Sequence, residues 1–224
     1  MRGFRSTPVL VLVSGPSGAG KTTVSRNLLA ASPGMERVVT CTTRSARGGE
    51  RDGVDYHFLD RDEFGRRVAA GEFLEHAEVY GNQYGTLRST VLDRLAAGVD
   101  VVLSVDVQGA ESIRTAADPV IARALVSVFI MPPTMEELER RLRGRSEDSD
   151  EAVARRLALA REEMGHWKRF GYLLVSGTRD EDLAAMQRVL GAERMRVARM
   201  RAVVGNGGGV PGSEPQMEVD LDAD

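Results

Sequence analysis

The sequence predicts an α/β fold, a parallel-sheet core flanked by helices, and three observations carry that prediction. Short β-branched apolar runs recur at Val9–Val13, Val101–Val105, Ala124–Ile130 and Tyr172–Val175. Stretches of helical character such as Gln108–Ala117 lie between them. The first run ends at Ser14-Gly15-Pro16, directly ahead of a glycine-rich loop and a second helical stretch, Thr22–Ala31. Strands that alternate with helices need crossover connections, which place helices on both faces of the sheet. The strands then read as continuous apolar runs rather than alternating ones.

Taken in order, Val9–Val13 is the first core strand and Thr22–Ala31 the first helix. Two segments break the alternation: roughly 39–97, rich in Arg, Gly and Tyr, and 134–168, almost entirely charged and helical. Both are expected to be inserted flaps. From Leu183 onward, apolar residues at Leu183, Met186, Leu190, Val197, Met200 and Val204 follow three-and-four spacing, which predicts one long C-terminal helix packed on the sheet. Gly205-Asn206-Gly207-Gly208-Gly209 ends it. The remaining Pro, Gly and acid-rich residues, 205–224, have too little apolar surface to order themselves, so a disordered acidic tail is expected there.

With 224 residues, 42% of them hydrophobic, the chain can bury one core. The formal charge is −3, yet the final twenty residues hold five acids and no Lys or Arg, leaving +2 on residues 1–204. A mildly basic body suits small anionic ligands and gives no reason to propose nucleic acid, a membrane surface or an obligate protein partner. Cys41 is the one cysteine, which excludes an internal disulfide, and His57, His76 and His166 are scattered with no spacing that suggests a zinc site. No apolar run approaches the ~20 residues that span a bilayer. These features together predict a cytoplasmic protein.

Gly15-Pro16-Ser17-Gly18-Ala19-Gly20-Lys21-Thr22 fits the phosphate-loop pattern G-x-x-x-x-G-K-S/T, and the strand before it and helix after it supply the required context. Its glycines let the backbone curl so that successive N–H groups face phosphate oxygens at a helix N-terminus. Lys21 is expected to bridge the β- and γ-phosphates of ATP and Thr22 to ligate Mg²⁺. Asp106, at the end of Val101–Val105, occupies the place of an acid near that metal, although such an acid is often only a helix cap. The Asn-Lys-x-Asp guanine motif of GTPases is absent.

The segment Thr40-Cys41-Thr42-Thr43-Arg44-Ser45-Ala46-Arg47-Gly48-Gly49-Glu50, continuing to Tyr56-His57-Phe58, resembles the acceptor-binding region of guanylate kinases. So do Phe73-Leu74-Glu75-His76-Ala77, Tyr80–Thr86, Asp106-Val107-Gln108-Gly109-Ala110, Pro132-Pro133, Arg141-Leu142-Arg143-Gly144-Arg145 and Arg155-Arg156-Leu157. The resemblance runs from about residue 8 to 200 with its motifs in register. It implies a P-loop nucleoside monophosphate kinase fold over 1–204, with core segments 8–38, 98–131 and 171–204, a GMP-binding insert at 39–97 and a lid at 132–170.

It also implies ATP-dependent phosphorylation of GMP, with dGMP left open, and Mg²⁺ as cofactor. Arg44, Arg47, Tyr56 and Tyr84 match residues that hold the GMP phosphate. Glu75 matches the residue that reads guanine, since a carboxylate accepts from both N1–H and the 2-amino group. Thr40 and Thr86 match hydroxyls that contact the base, and Asp106 completes the GMP set. Arg141, Arg145 and Arg156 match lid arginines that act with Lys21 and Arg44 on the transferring phosphate.

Three positions depart from that family's usual pattern. Ser104 replaces an acid, which argues for weaker acceptor binding or altered efficiency. Ser176 replaces an asparagine near the adenine and bears on ATP preference. Gly171 replaces a common acid before the last strand. Cys41 is expected to be a packed, inert thiol, and Glu137 with Arg141 an ordinary i,i+4 helix pair. Two alternatives stand beside the kinase reading: a non-catalytic guanylate-kinase-like module that binds phosphopeptides, and a small-molecule kinase of the same fold with another acceptor.

Overall fold

A computed structural model describes residues 3–79, 81–116, 118–144 and 149–203. The expectations for the acidic tail, Arg145, Tyr80, Ala117 and Val204 fall outside them. The chain begins with strand β1 (Gly3–Ser6), followed by β2 (Leu10–Ser14), the phosphate loop and helix α1 (Lys21–Ala30). Strands β3 (Glu36–Arg37), β4 (Cys41–Thr42) and β5 (His57–Phe58) lead to helix α2 (Arg61–Ala69). Strands β6 (Phe73–Val79) and β7 (Asn82–Leu87) follow, then helix α3 (Arg88–Ala96), strand β8 (Val101–Ser104), and helices α4 (Val107–Thr115) and α5 (Pro119–Ala124). The chain continues through β9 (Leu125–Met131), α6 (Met135–Arg143), α7 (Asp150–Met164), β10 (Tyr172–Val175), α8 (Arg179–Met195) and β11 (Met200–Val203).

The central sheet has the order β10-β9-β2-β8-β3, and its pairings are parallel. Every residue of β2 is buried. Val11 and Val13 point to one face, with Val126, Val128 and Ile130, and meet Val24 and Leu28 of α1 and Met186 and Leu190 of α8. Leu10 and Leu12 point to the other, with Val101 and Leu103, against Val91 and Leu95 of α3, Ala110 and Ile113 of α4, and Ile121 of α5. This two-sided cover is the physical reason the strand runs are continuously apolar.

A second sheet of order β5-β4-β7-β6 is formed within residues 41–87. Its core is small: Cys41, Phe64 and Phe73, with the two phenyl rings stacked at 4.5 Å between centroids. The antiparallel pair β6–β7 carries a register shift between Phe73 and Glu75. Phe73 pairs with Leu87, yet it is Glu75, not Leu74, that pairs with Thr86. The extra residue re-aims the strand.

The expectation of a single helix from Leu183 to the tail is corrected. α8 ends at Met195 and Arg196 turns extended, with φ −62° and ψ 126°. Residues Val197–Arg199 form a 3₁₀ turn, and β11 returns antiparallel to β1. The driving contact is electrostatic. Arg199 and Glu193 are 4% and 2% exposed and paired at 2.9 Å, and the Arg199 guanidinium also donates to the Arg123 and Leu125 carbonyls. A chain continuing as helix could not fold Arg199 back in this way. Val197, read as part of an apolar stripe, is 87% exposed.

Candidate active site

The phosphate loop joins β2 to α1. Gly15, Gly18 and Gly20 have φ of +142°, +86° and +106°, values at which a side chain would be strained. A Cβ on Gly15 would also sit 2.3 Å from the Ile130 carbonyl oxygen, and one on Gly18 2.9 Å from Leu138 Cδ1 of α6. Helices α2, α4, α5, α6, α7 and α8 each begin with a side-chain oxygen that accepts from their first turn. α1 begins at Gly20 with no such cap and no acid in its first turn. Its N–H groups and positive helix end therefore face the loop, the arrangement that receives an anion. Lys21 Nζ donates to the Gly15 and Pro16 carbonyls at 2.6 and 3.1 Å, so the ammonium lies over the loop itself.

A cavity of about 760 Å³ opens beside the loop and is lined by Ser17, Lys21, Asp106 and Glu163, among others. Asp106 caps α4 by accepting from the Gly109 N–H at 2.7 Å through Oδ1, and its second oxygen takes no hydrogen bond among the described residues. Thr22 is exposed at the start of α1 and lines a neighbouring cavity of about 410 Å³ with Thr40, Glu50, Tyr56 and Ser104.

Glu75 is 6% exposed, and its Oε1 accepts from the Thr86 hydroxyl at 2.5 Å. Burial, with the Asp106 charge adding to it, raises the Glu75 carboxyl to a pKa of about 7. A Cβ on Gly109 would lie 2.6 Å from Glu75 Oε2, so the absence of a side chain there lets α4 approach the carboxylate. The bulge in β6 is what aligns Glu75 with Thr86 across the strands.

Arg44, Tyr56 and Tyr84 are brought together. The Arg44 guanidinium lies 5.4 Å from the Tyr56 ring centroid, and the two tyrosine rings meet edge-on at 6.1 Å. Nη1 and Nη2 of Arg44 bond Glu50 Oε2 and Oε1 at 3.0 and 2.9 Å, a two-pronged ion pair. That bond raises the Arg44 pKa and lowers that of Glu50. Arg47 donates its backbone N–H to Glu50 at 2.7 Å, while its side chain is exposed and takes no part in the cluster.

Arg141 reaches the loop from α6. Nε bonds Glu137 Oε1 at 2.7 Å, and Nη1 donates to the Ala19 carbonyl at 3.3 Å and to the Ser176 hydroxyl at 3.2 Å. Arg156 lies half-buried on α7. Cys41 is fully buried and its thiol is pushed up to about 11 by desolvation, which fits an inert role.

Sequence reasoning passed over three acids. Glu50 carries a partner's role, Glu163 lies at the cavity, and Asp182 stands behind Ser176. Burial raises the Glu163 carboxyl against the opposing charge of Lys21, and Glu163 Oε2 is buried with no hydrogen-bond partner among the described residues. Its position on a charged helix gave no signal.

Comparison with known proteins bears on the whole constellation. The guanylate kinase family model matches residues 7–193. The chain belongs to the guanylate kinase family. Among its relatives, a guanylate kinase from Paramagnetospirillum magneticum is 48% identical over 192 residues, covering 85% of this chain and 87% of that protein. One from Sphingopyxis alaskensis is 46% identical over 197 residues and covers 88% of each. The crystal structure of guanylate kinase from Anaplasma phagocytophilum aligns with a TM-score of 0.72 at 36% identity, over 88% of this chain and 92% of that one. The family is one of nucleotide kinases that need a metal ion. β11 lies beyond the family match. No helix among the described residues is long and apolar enough to cross a membrane.

Proposed function

We propose that this chain transfers the γ-phosphoryl group of ATP to GMP, giving ADP and GDP. The observation that carries the reading is Glu75: a buried carboxylate fixed by Thr86, next to α4, in a guanylate kinase that also has an intact phosphate loop. Its acceptor oxygens complement the N1–H and 2-amino donors of guanine, and adenine offers no such pair.

In this reading Gly15–Thr22 holds the ATP phosphates, with Lys21 leaving the loop carbonyls to meet them. Arg44, Tyr56 and Tyr84 take the GMP phosphate, which competes with Glu50 for the arginine fork. Arg47 joins once its exposed side chain swings inward. Thr40 lines the acceptor side, and Thr86 orients Glu75. The insert at 39–97 closes over GMP and the lid at 132–170 over ATP, bringing Arg145 and Arg156 to join Arg141, which already lies at the loop. These groups align two phosphates and neutralise charge, which is what in-line phosphoryl transfer requires of a protein.

Magnesium fits the donor set. No group of three or more His, Cys, Asp or Glu among the described residues forms a metal cage. Mg²⁺ bound chiefly by phosphates and water needs only one or two hard oxygen ligands from the protein. The Thr22 hydroxyl and the second oxygen of Asp106, the latter through water, are the residues that would hold it. Bound there, it would neutralise charge on the ATP phosphates.

The cytoplasm is the compartment that fits this activity, where GMP would be recycled within purine metabolism. Lys21→Ala tests the reading. The variant is expected to keep its circular dichroism and its GMP affinity while losing transfer by at least about a thousandfold. Turnover within tenfold of the parent would contradict the assignment of the loop.

A further inference from the structure

The turn between β10 and α8 holds a buried polar relay that reaches the lid. Ser176 is 4% exposed, and its backbone N–H is anchored to the Met131 carbonyl at 2.8 Å. Its hydroxyl lies between two charged groups: 3.1 Å from Asp182 Oδ2 and 3.2 Å from Arg141 Nη1. Asp182 is 7% exposed in the first turn of α8, and its other oxygen accepts from the Gly177 N–H at 2.8 Å.

The chemistry of the three groups leaves one arrangement. An ionised carboxylate only accepts and a guanidinium only donates. The Ser176 proton must therefore point at Asp182, and its lone pairs at Arg141. A hydroxyl alone is a rotor; backed by a buried carboxylate it becomes a fixed acceptor. The negative charge behind it also strengthens the bond it receives.

This relay converges on the phosphate loop. A Cβ on Gly20 would lie 3.8 Å from Ser176 Oγ and 3.9 Å from Arg141 Nη1, so both groups sit against the residue that opens α1. Nε of Arg141 is held by Glu137 and Nη1 by Ala19 and Ser176. Nη2 donates to no protein atom among the described residues, which leaves it available to a phosphate. Three fixed partners restrict a long side chain that would otherwise sample many rotamers.

We infer that Ser176 is a positioning residue for phosphoryl transfer: with Asp182 behind it, it holds the Arg141 guanidinium over the phosphate loop before nucleotide arrives. The inference rests on the proposed kinase reading and on Arg141 acting on the transferring phosphate. In this role Ser176 acts through Arg141.

The test is a double-mutant cycle on the full chain, read as kcat and KM with ATP, Mg²⁺ and GMP. Ser176→Ala is expected to lower kcat about tenfold, the size of one charge-assisted hydrogen bond, with KM for GMP unchanged. Asp182→Asn keeps the shape but can donate to the hydroxyl, turning its proton toward Arg141, so it is expected to show the same loss. The pair Ser176→Ala with Arg141→Ala should be no slower than Arg141→Ala alone. Thermal unfolding of each variant accompanies the kinetics, because a purely structural role would lower Tm and add to the Arg141 effect.

Wild-type kcat in Ser176→Ala, or a double variant slower than Arg141→Ala by the full Ser176 factor, would overturn the inference while leaving the kinase reading intact. Wild-type kcat in Arg141→Ala would remove both Arg141 and Ser176 from transfer. An inactive parent chain would instead overturn the kinase reading itself.

Discussion

At the scale of single residues, the site turns on carboxylates whose partners decide their state. Burial raises the Glu75 carboxyl to about 7 in the ligand-free protein, so its protonated fraction grows as pH falls through that value. Its contribution to stability is complete below the ordinary carboxyl value of 4.5 and is lost as pH rises through about 7. Guanine recognition runs the other way, because the base donates twice and needs the ionised form. KM for GMP should therefore rise below pH 7, approaching about tenfold per pH unit, with KM for ATP flat over the same range. GMP's own phosphate titration is shared by Glu75→Gln, so the difference between the two profiles isolates the carboxyl; identical profiles would remove Glu75 from recognition. Glu75→Gln should also reduce the preference for GMP over AMP by about a hundredfold in kcat/KM, measured in a coupled assay.

Arg44, Tyr56 and Tyr84 were legible in the sequence because their joint spacing carried the signal, and the structure puts them in one cluster. Glu50 and Asp182 were not. An acid whose role is to hold another side chain has no motif of its own; only the fold reveals what it faces. Ser176 was visible as a departure from the family pattern, but its hydrogen bonds to Arg141 and Asp182 depend on α6 and α8 meeting at the turn after β10.

At the scale of elements, the site depends on close backbone approaches. Helix α4 lies against Glu75 only because residue 109 is glycine. Gly109→Ala should push the carboxylate from Thr86 and raise KM for GMP about tenfold with KM for ATP unchanged; equal changes in both would mean the helix had moved as a whole. Strand and helix boundaries were predictable to within a residue or two where burial on both faces made runs continuous, as in β2 and β8. The bulge at Phe73–Glu75 was not, since an added residue in one strand leaves no trace in its partner's pattern. Nor was the end of α8. The apolar spacing from Leu183 to Met200 fits a helix, but Glu193 and Arg199 prefer a buried pair, and the chain turns to make it.

At the scale of the whole molecule, a parallel sheet covered on both faces carries the loop while the smaller sheet carries the acceptor residues. Only the first has large two-sided cover, so the stability of the chain resides there. The Glu193–Arg199 pair ties α8 to β9 and the C-terminal strand. Glu193→Ala would leave Arg199 buried without its counter-charge and is expected to cost about 3–5 kcal/mol, read by urea unfolding. Because the pair is remote from the loop, kcat of the folded variant should not change; a loss of kcat without a loss of stability would contradict this division. Fold class was legible from the strand and helix alternation alone, whereas the acceptor's identity needed Glu75 and its surroundings.

The central claim is that this guanylate-kinase-family chain selects guanine through Glu75 and phosphorylates it from ATP. It is tested most directly by turnover of GMP, AMP, CMP and UMP at equal concentration with ATP and Mg²⁺. The account predicts that GMP is phosphorylated at least about a hundredfold faster in kcat/KM than the other three. Equal turnover of all four, or none of GMP, would contradict it.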